Sequence, residues 1–500
     1  MRDNVLEYLE ESARRCPDKT AFADPDESVT YAEIKERAMR IGSALAAVLP
    51  PGSPVPVLLN KSVKAVSVML GAVYAGCFYS VLDLRQPDTR LQSILMTLDS
   101  GTAVCSRADD GGSRCLRGQQ VLYYEDLLKS GIDEALLQKR RAGALNTDPL
   151  YVNFTSGSTG VPKGVVVCHR SVIDFIERFT EITGLCPDDV LGNQAPFDFD
   201  VSVKDIYSTL YLGAEMQIIP QQYFLMPTEL LDFLTGRSVT VLIWAVSALT
   251  ILTKLRAFSY KIPEKVRRVI FSGEVMPVRH LNMWREAVPD AVFYNVYGPT
   301  EITCNCTWYR VDRAFDQSEE IPIGKPFPNE KVFLLDEEDR LVEEAGKTGE
   351  ICVAGTALAL GYYRNPEATA AVFVQNPLQS AYPETIYRTG DLGTYLEDGD
   401  LLYIGRKDFQ IKHMGHRIEL GEIEKVLYSI REVGDACCLF IRDRIVAFYT
   451  GELTKKELVP LMKEQIPDYM VPNVFVRMEQ LPLSKNGKID RQKLKAEYSR

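Results

Sequence analysis

Histidine is scarce in this chain, four residues in 500, and none of its eleven cysteines forms a C-x-x-C pair. Zinc ribbons and fingers draw their ligands from such pairs, so a structural metal is not expected. Only Cys304 with Cys306, and the adjacent Cys437 and Cys438, stand close together. An odd, scattered set reads as reduced thiols of a cytoplasmic protein. A basic surface is missing too: the net charge of −11 argues against a protein that grips nucleic acid with its whole face. The N-terminus, "MRDNVLEYLEESARR", has acids where a signal peptide needs an apolar core, and it spaces Val5, Tyr8 and Leu9 along one helical face. Long apolar runs are absent except at 65–82, "AVSVMLGAVYAGCFYSVL", which is uncharged and just long enough to cross a bilayer. Ser67, Gly71, Gly76 and Ser80 interrupt it, so a buried helix running into a buried strand is expected, with no membrane span. Familiar catalytic signatures are lacking as well. No G-x-G-x-x-G and no G-x-S-x-G occurs, and Gly346-Lys347-Thr348 fails as a P-loop because Leu341 stands where its first glycine belongs.

What is present is an ordinary globular composition, 46% hydrophobic and 25% charged, in a chain too long for one core. The apolar runs at 239–246, 266–273 and 291–298 alternate with helix-like stretches such as 227–237. That alternation is the pattern of an α/β sheet, whose ligands gather at the carboxyl ends of strands. From about 320 the strands shorten, and after "GRKD" the stretch "GHRIELGEIEKVLYSI" opens a helix. The expected division is a large domain over 1–405, a hinge over 406–409 and a small domain over 410–500.

"YVNFTSGSTGVPKGVVVCHRS", residues 151–171, reads as a strand and then a loop of glycines, hydroxyls and one lysine. A concave cluster of N–H and hydroxyl donors beside Lys163 suits a polyphosphate; a plain surface loop has the same composition. In "YNVYGPTE" an aromatic, a hydroxyl and a carboxylate follow a strand, where Tyr297 could stack a purine and Glu301 hold Mg²⁺. Asp391 in "YRTGDL" sits where two ribose hydroxyls could be bound, or is simply turn chemistry. "GRKDFQIK" and "NGKIDR" read as a charged linker and an Asn-Gly turn, or as further parts of a site.

"TSGSTGVPKG", "NVYGPTE", "YRTGD", "GRKDFQIK" and "NGKIDR", in this order along nearly the whole chain, resemble the adenylate-forming superfamily. Within it, "FDFDVSVKDIYSTLYLGA" and "FSGEVMPV" are similar to free-standing amino acid adenylation enzymes such as the D-alanine:D-alanyl carrier protein ligases. The resemblance implies a large N-terminal domain of α/β subdomains plus a β-rich subdomain, and a small mobile C-terminal α+β domain. It implies carboxylate plus ATP giving an adenylate, then a thioester with the phosphopantetheine thiol of an acyl or peptidyl carrier protein. By the match, Thr155, Ser156, Gly157, Ser158, Thr159, Gly160 and Lys163 cradle phosphates, Thr300 meets the α-phosphate and Glu301 holds Mg²⁺. Asn295 and Tyr297 contact adenine, Asp391 and Arg406 the ribose, and Tyr403 lines the nucleotide site. Lys488 is the catalytic lysine and Asp408 the hinge.

Asp200 falls where amino-acid-activating members keep a carboxylate for the substrate ammonium. The side-chain pocket would be lined by Val201, Lys204, Trp244, Ile270, Ser272, Val296, Cys304 and Asn305, with Trp244 shortening it in favour of a small side chain. Lys204 departs from an apolar alanine pocket: it either faces a polar or acidic substrate or pairs with Asp205. Because the sequence stops soon after "NGKIDRQKL", the carrier protein is expected in trans. An acyl-CoA ligase for a small carboxylate is the alternative.

Overall fold

The computed structural model describes residues 2–108, 115–116, 118–156, 162–408, 410–482 and 489–498. The uncharged run becomes the helix Val63–Tyr74, capped by the Ser62 side chain on the Ala65 amide, followed by the strand Phe78–Val81. Both are buried, and the helix packs on the helix Tyr31–Val48. Glycine is required at that crossing, since a Cβ on Gly71 would lie 2.5 Å from Ile41 Cγ2. Among the described residues no helix is long and apolar enough to cross a membrane.

The apolar runs form the parallel neighbours Val241–Ala245, Arg268–Ser272 and Val292–Tyr297 of a nine-stranded sheet. A seven-stranded sheet contains the hairpin Pro149–Thr155 and Lys163–Cys168, and an antiparallel sheet is built around Thr348–Gly355 and Thr385–Tyr395. Successive strand residues point to opposite faces. Ile243, Ile270 and Val296 accordingly join the core shared with the helix Val201–Leu212, while Leu242, Trp244 and Phe271 join the core on the other side. This alternation corrects the expectation for Trp244. Its indole N–H donates to the Gly192 carbonyl at 2.7 Å and its ring meets Phe224 edge-on, so it does not face the pocket. Ile243, paired with Ile270 across the ladder, takes that side of the sheet. A slip of one residue in a strand exchanges the faces.

Beyond the strand Leu401–Arg406 come the hairpin Gln410–His413 and His416–Glu419, the helix Leu420–Ser429 and a three-stranded sheet. The expected helix therefore starts later than "GHRI". Met414 and Gly415, both at positive φ, turn the chain back into a strand first. No described core cluster takes residues from both sides of the segment 404–410.

Candidate active site

The carboxyl ends of two parallel strands, the start of the helix Val201–Leu212 and the turn after Tyr297 converge on a cleft that opens to solvent, with a cavity volume of about 100 Å³. The carboxyl ends of parallel strands are where open α/β sheets bind ligands. Gly298 lets this turn close: a Cβ there would stand 2.5 Å from Asn305 Cα, so the bare backbone sets Asn305 against the cleft.

At one end of the cleft Asp200 sits just before the helix, half-buried. Burial pushes its carboxyl above the usual range, opposed by the Thr300 hydroxyl and the charge of Lys204. Val201, Ser272, Cys304 and Asn305 line the same end. Lys204 is fully buried, and its ammonium donates to Asn305 Oδ1 at 2.8 Å and to Ser272 Oγ at 3.4 Å. The pairing with Asp205 is not made: Asp205 accepts instead from the Asn193 amide at 2.9 Å, and burial pushes it up to about 7.

At the other end Asp391 gathers the nucleotide candidates. Its two oxygens accept from the Tyr297 hydroxyl and from Arg406, each at 2.5 Å, while Arg406 also grips Asp408 with two hydrogen bonds of 2.7 and 2.8 Å. Tyr403 faces Tyr297 at 6.2 Å between ring centres, and the Lys412 ammonium lies 5.2 Å from the Tyr297 ring. Asn295 is not brought to this group. Its amide donates to the Pro322 carbonyl at 2.8 Å, away from the cleft lining.

Between the two ends the hairpin of the small unit reaches into the cleft with Lys412, His416 and Arg417. Arg417 donates to Glu301 Oε2 at 2.7 Å, and the Tyr362 hydroxyl donates to Oε1 at 2.7 Å. Burial raises the Glu301 pKa, but Arg417 and Tyr362 outweigh it and hold the carboxyl below its ordinary value. His416 stacks on Tyr469 at 3.5 Å, and burial keeps it neutral by lowering its pKa to about 3. A lone ionised carboxylate suits Mg²⁺, which keeps waters and takes its remaining oxygens from phosphates. No cluster of three acidic, histidine or cysteine ligands exists among the described residues. Glu301 fits the ion in charge and donor type, although Arg417 holds its free side in this arrangement.

Of the phosphate-loop candidates, Ser156 donates to the Arg417 carbonyl at 2.6 Å, the Thr155 hydroxyl reaches the Lys163 carbonyl at 3.5 Å, and the Lys163 ammonium lies 5.3 Å from the Tyr362 ring. Gly157, Ser158, Thr159, Gly160 and Lys488 lie outside the described residues. Sequence reasoning missed Tyr362 and the role of Arg417. Partners 61 and 116 positions from Glu301 leave no local pattern to read.

A family model described as AMP-binding enzyme matches residues 9–363, and one described as AMP-binding enzyme C-terminal domain matches residues 422–488. Tyrocidine synthase 3 of Brevibacillus parabrevis is 34% identical over 98% of the chain, which spans only 8% of that relative's length. The structure of the Vibrio cholerae adenylation domain AlmE in complex with glycyl-adenosine-5'-phosphate superposes with a TM-score of 0.86 at 22% identity, covering 100% of this chain and 98% of that one, a likeness of fold. Holo-PA1221, a protein containing adenylation and PCP domains, superposes with a TM-score of 0.83 at 25% identity over 98% of this chain and 84% of that one. With the motifs in order and both family models matched, the chain belongs to the AMP-binding enzymes of the adenylate-forming superfamily.

Proposed function

We propose that this protein activates an amino acid with ATP as an aminoacyl-adenylate and transfers it to the phosphopantetheine thiol of a separate carrier protein. One observation carries the reading: Asp200, Thr300 and the Asp391–Arg406 pair line a single cleft that the small unit enters with Lys412 and Arg417. A carboxylate for an ammonium, a hydroxyl for an α-phosphate and an acid–guanidinium pair for ribose hydroxyls are the groups an aminoacyl-adenylate would call for. The attacking carboxylate is already an anion, so the reaction needs no general base. Catalysis then rests on in-line positioning and on cancelling charge. Mg²⁺ held by Glu301 would neutralise charge on the phosphate oxygens. The Arg417 guanidinium beside that carboxylate fits the second half-reaction, after pyrophosphate has left. Domains 1–405 and 410–500 would turn about residues 406–409 between the two steps, exchanging Lys488 for the 410–419 hairpin.

Aminoacyl transfer tests the reading. With ATP and Mg²⁺, a phosphopantetheinylated carrier protein should gain the mass of one amino acid while AMP accumulates. Thioester on coenzyme A, with the carrier protein unloaded, would favour an acyl-CoA ligase.

Rotation gives a separate expectation. Proline at position 408 fixes its own φ and restricts Lys407, so Asp408→Pro should keep pyrophosphate exchange within about threefold and slow carrier loading about a hundredfold or more. Asp408→Ala, which loses the clamp on Arg406 but not the backbone freedom, should transfer far better than Asp408→Pro. Equal loading by the two variants would contradict the hinge.

A further inference from the structure

Lys204 is costly where it stands. Its ammonium is fully buried, and its hydrogen-bond partners, Asn305, Ser272 and the Cys304 thiol, are all neutral. It makes no ion pair among the described residues: Asp205 is held by Asn193. It also lies in the first turn of the helix Val201–Leu212, whose positive end disfavours a cation. The carboxyls of Asp200 and Asp205 act on the Lys204 ammonium electrostatically but neither makes an ion-pair contact, so its desolvation is only partly offset, and a methionine of similar length would fill the space without that cost.

The placement suggests what offsets it. Asn305 and Ser272 line the cleft and Lys204 stands directly behind them, at the same end as Asp200. An ammonium has three N–H donors, and Asn305, Ser272 and the Cys304 thiol take them, all weak neutral acceptors that a guest anion would displace. Asp200 has helical dihedrals, so it and Lys204 are related as i and i+4 on one helix face, with Cβ atoms about 6 Å apart. A guest held by both needs a cation for Asp200 and, a few ångströms away, an anion for Lys204. Nearby, the Tyr151 hydroxyl is fully buried without a hydrogen-bond partner among the described residues, within electrostatic range of Asp200 and Cys304.

We propose that Lys204 selects an amino acid whose side chain carries a carboxylate, aspartate or glutamate, by ion-pairing with that group. The inference rests on the amino-acid-activating reading above. The α-ammonium would meet Asp200 and the side-chain carboxylate Lys204, leaving the α-carboxylate free to attack phosphorus. Carboxamide analogues offer the same shape without the charge and are rejected. With Trp244 on the far face of the sheet, the smaller Ile243 takes that side in place of an indole.

The test is pyrophosphate exchange by the full chain across the common amino acids, with both enantiomers of alanine, aspartate and glutamate. Aspartate or glutamate should exceed alanine at least a hundredfold in kcat/KM, and exceed its own carboxamide about tenfold or more. Lys204→Met should lose the acidic substrate about a hundredfold or more while its activity toward uncharged amino acids rises relative to wild type. Lys204→Arg, which keeps the charge, should still prefer the acid. Alanine or another uncharged amino acid activated best by the wild type would overturn the proposal, as would an acid preference unchanged in Lys204→Met. Either result would leave amino acid activation standing. No exchange with any amino acid would instead overturn the underlying reading.

Discussion

Lys488→Ala is expected to slow amino-acid-dependent pyrophosphate exchange by about a hundredfold to a thousandfold, while transfer from a supplied aminoacyl-adenylate stays within a fewfold of wild type. The first step brings a carboxylate anion onto a phosphate that is itself negative, so its barrier is largely repulsion. The proposed role of the Lys488 ammonium, to bridge the carboxylate, the α-phosphate and the ribose, would lower it, and losing a single such donor costs about 3–4 kcal/mol in comparable sites. In the second step the thiol attacks a carbonyl carbon and not an anionic phosphorus, so the same repulsion does not have to be cancelled at that point. The chain on either side of Lys488 is anchored to the small unit. Leu481 and Ile489 pack in its core, and the Asp490 amide donates to the Pro482 carbonyl at 2.7 Å. Arg491 grips Glu424 and the Cys438 carbonyl. Removing the ammonium should therefore leave the fold intact, which a thermal melt would check. Equal damage to both half-reactions would contradict the assignment.

Asp200→Ala should reduce kcat/KM for the preferred amino acid by about 10²–10⁴, because a buried ion pair that loses one partner costs about 3–5 kcal/mol. The loss should be selective. The des-amino analogue has no ammonium to pair, so its weak activation should change little, and the preference of the wild type for the amino acid should nearly vanish. Acidity provides a second readout. The Asp200 carboxyl is raised by burial, and only its ionised form binds an ammonium, so wild-type kcat/KM should fall as pH drops through a value above the ordinary carboxylate range. If Asp200→Ala keeps both its selectivity and that acid limb, Asp200 does not hold the ammonium.

The alternation of strands and helices was legible because period-2 apolar runs such as 239–246 and 291–298 carry their own signal. Trp244 was misplaced by the motif alignment and not by the period: an alignment one residue out of register exchanges the two faces of a strand, and the ladder pairing Ile243 with Ile270 fixes which is which. Thr300, after a Gly-Pro turn, and Asp391, which lies inside the strand Thr385–Tyr395 where a turn was expected, stood in local motifs and could be named. Arg417, Tyr362 and the Asn305–Lys204 hydrogen bond depend on chain segments brought together from far apart. Local spacing holds no record of such pairs. The strand at His416–Glu419 was missed for a smaller reason, since "GHRIELGEIE" reads as helical until Met414 and Gly415 are seen at positive φ.

The most direct measurement is the exchange of labelled pyrophosphate into ATP by the purified chain with Mg²⁺, with and without amino acids. Reversible adenylation predicts exchange that requires an amino acid, no formation of ADP, and net AMP release only when a phosphopantetheine acceptor is added. Absence of exchange with every amino acid, or ADP and phosphate as products, would contradict it.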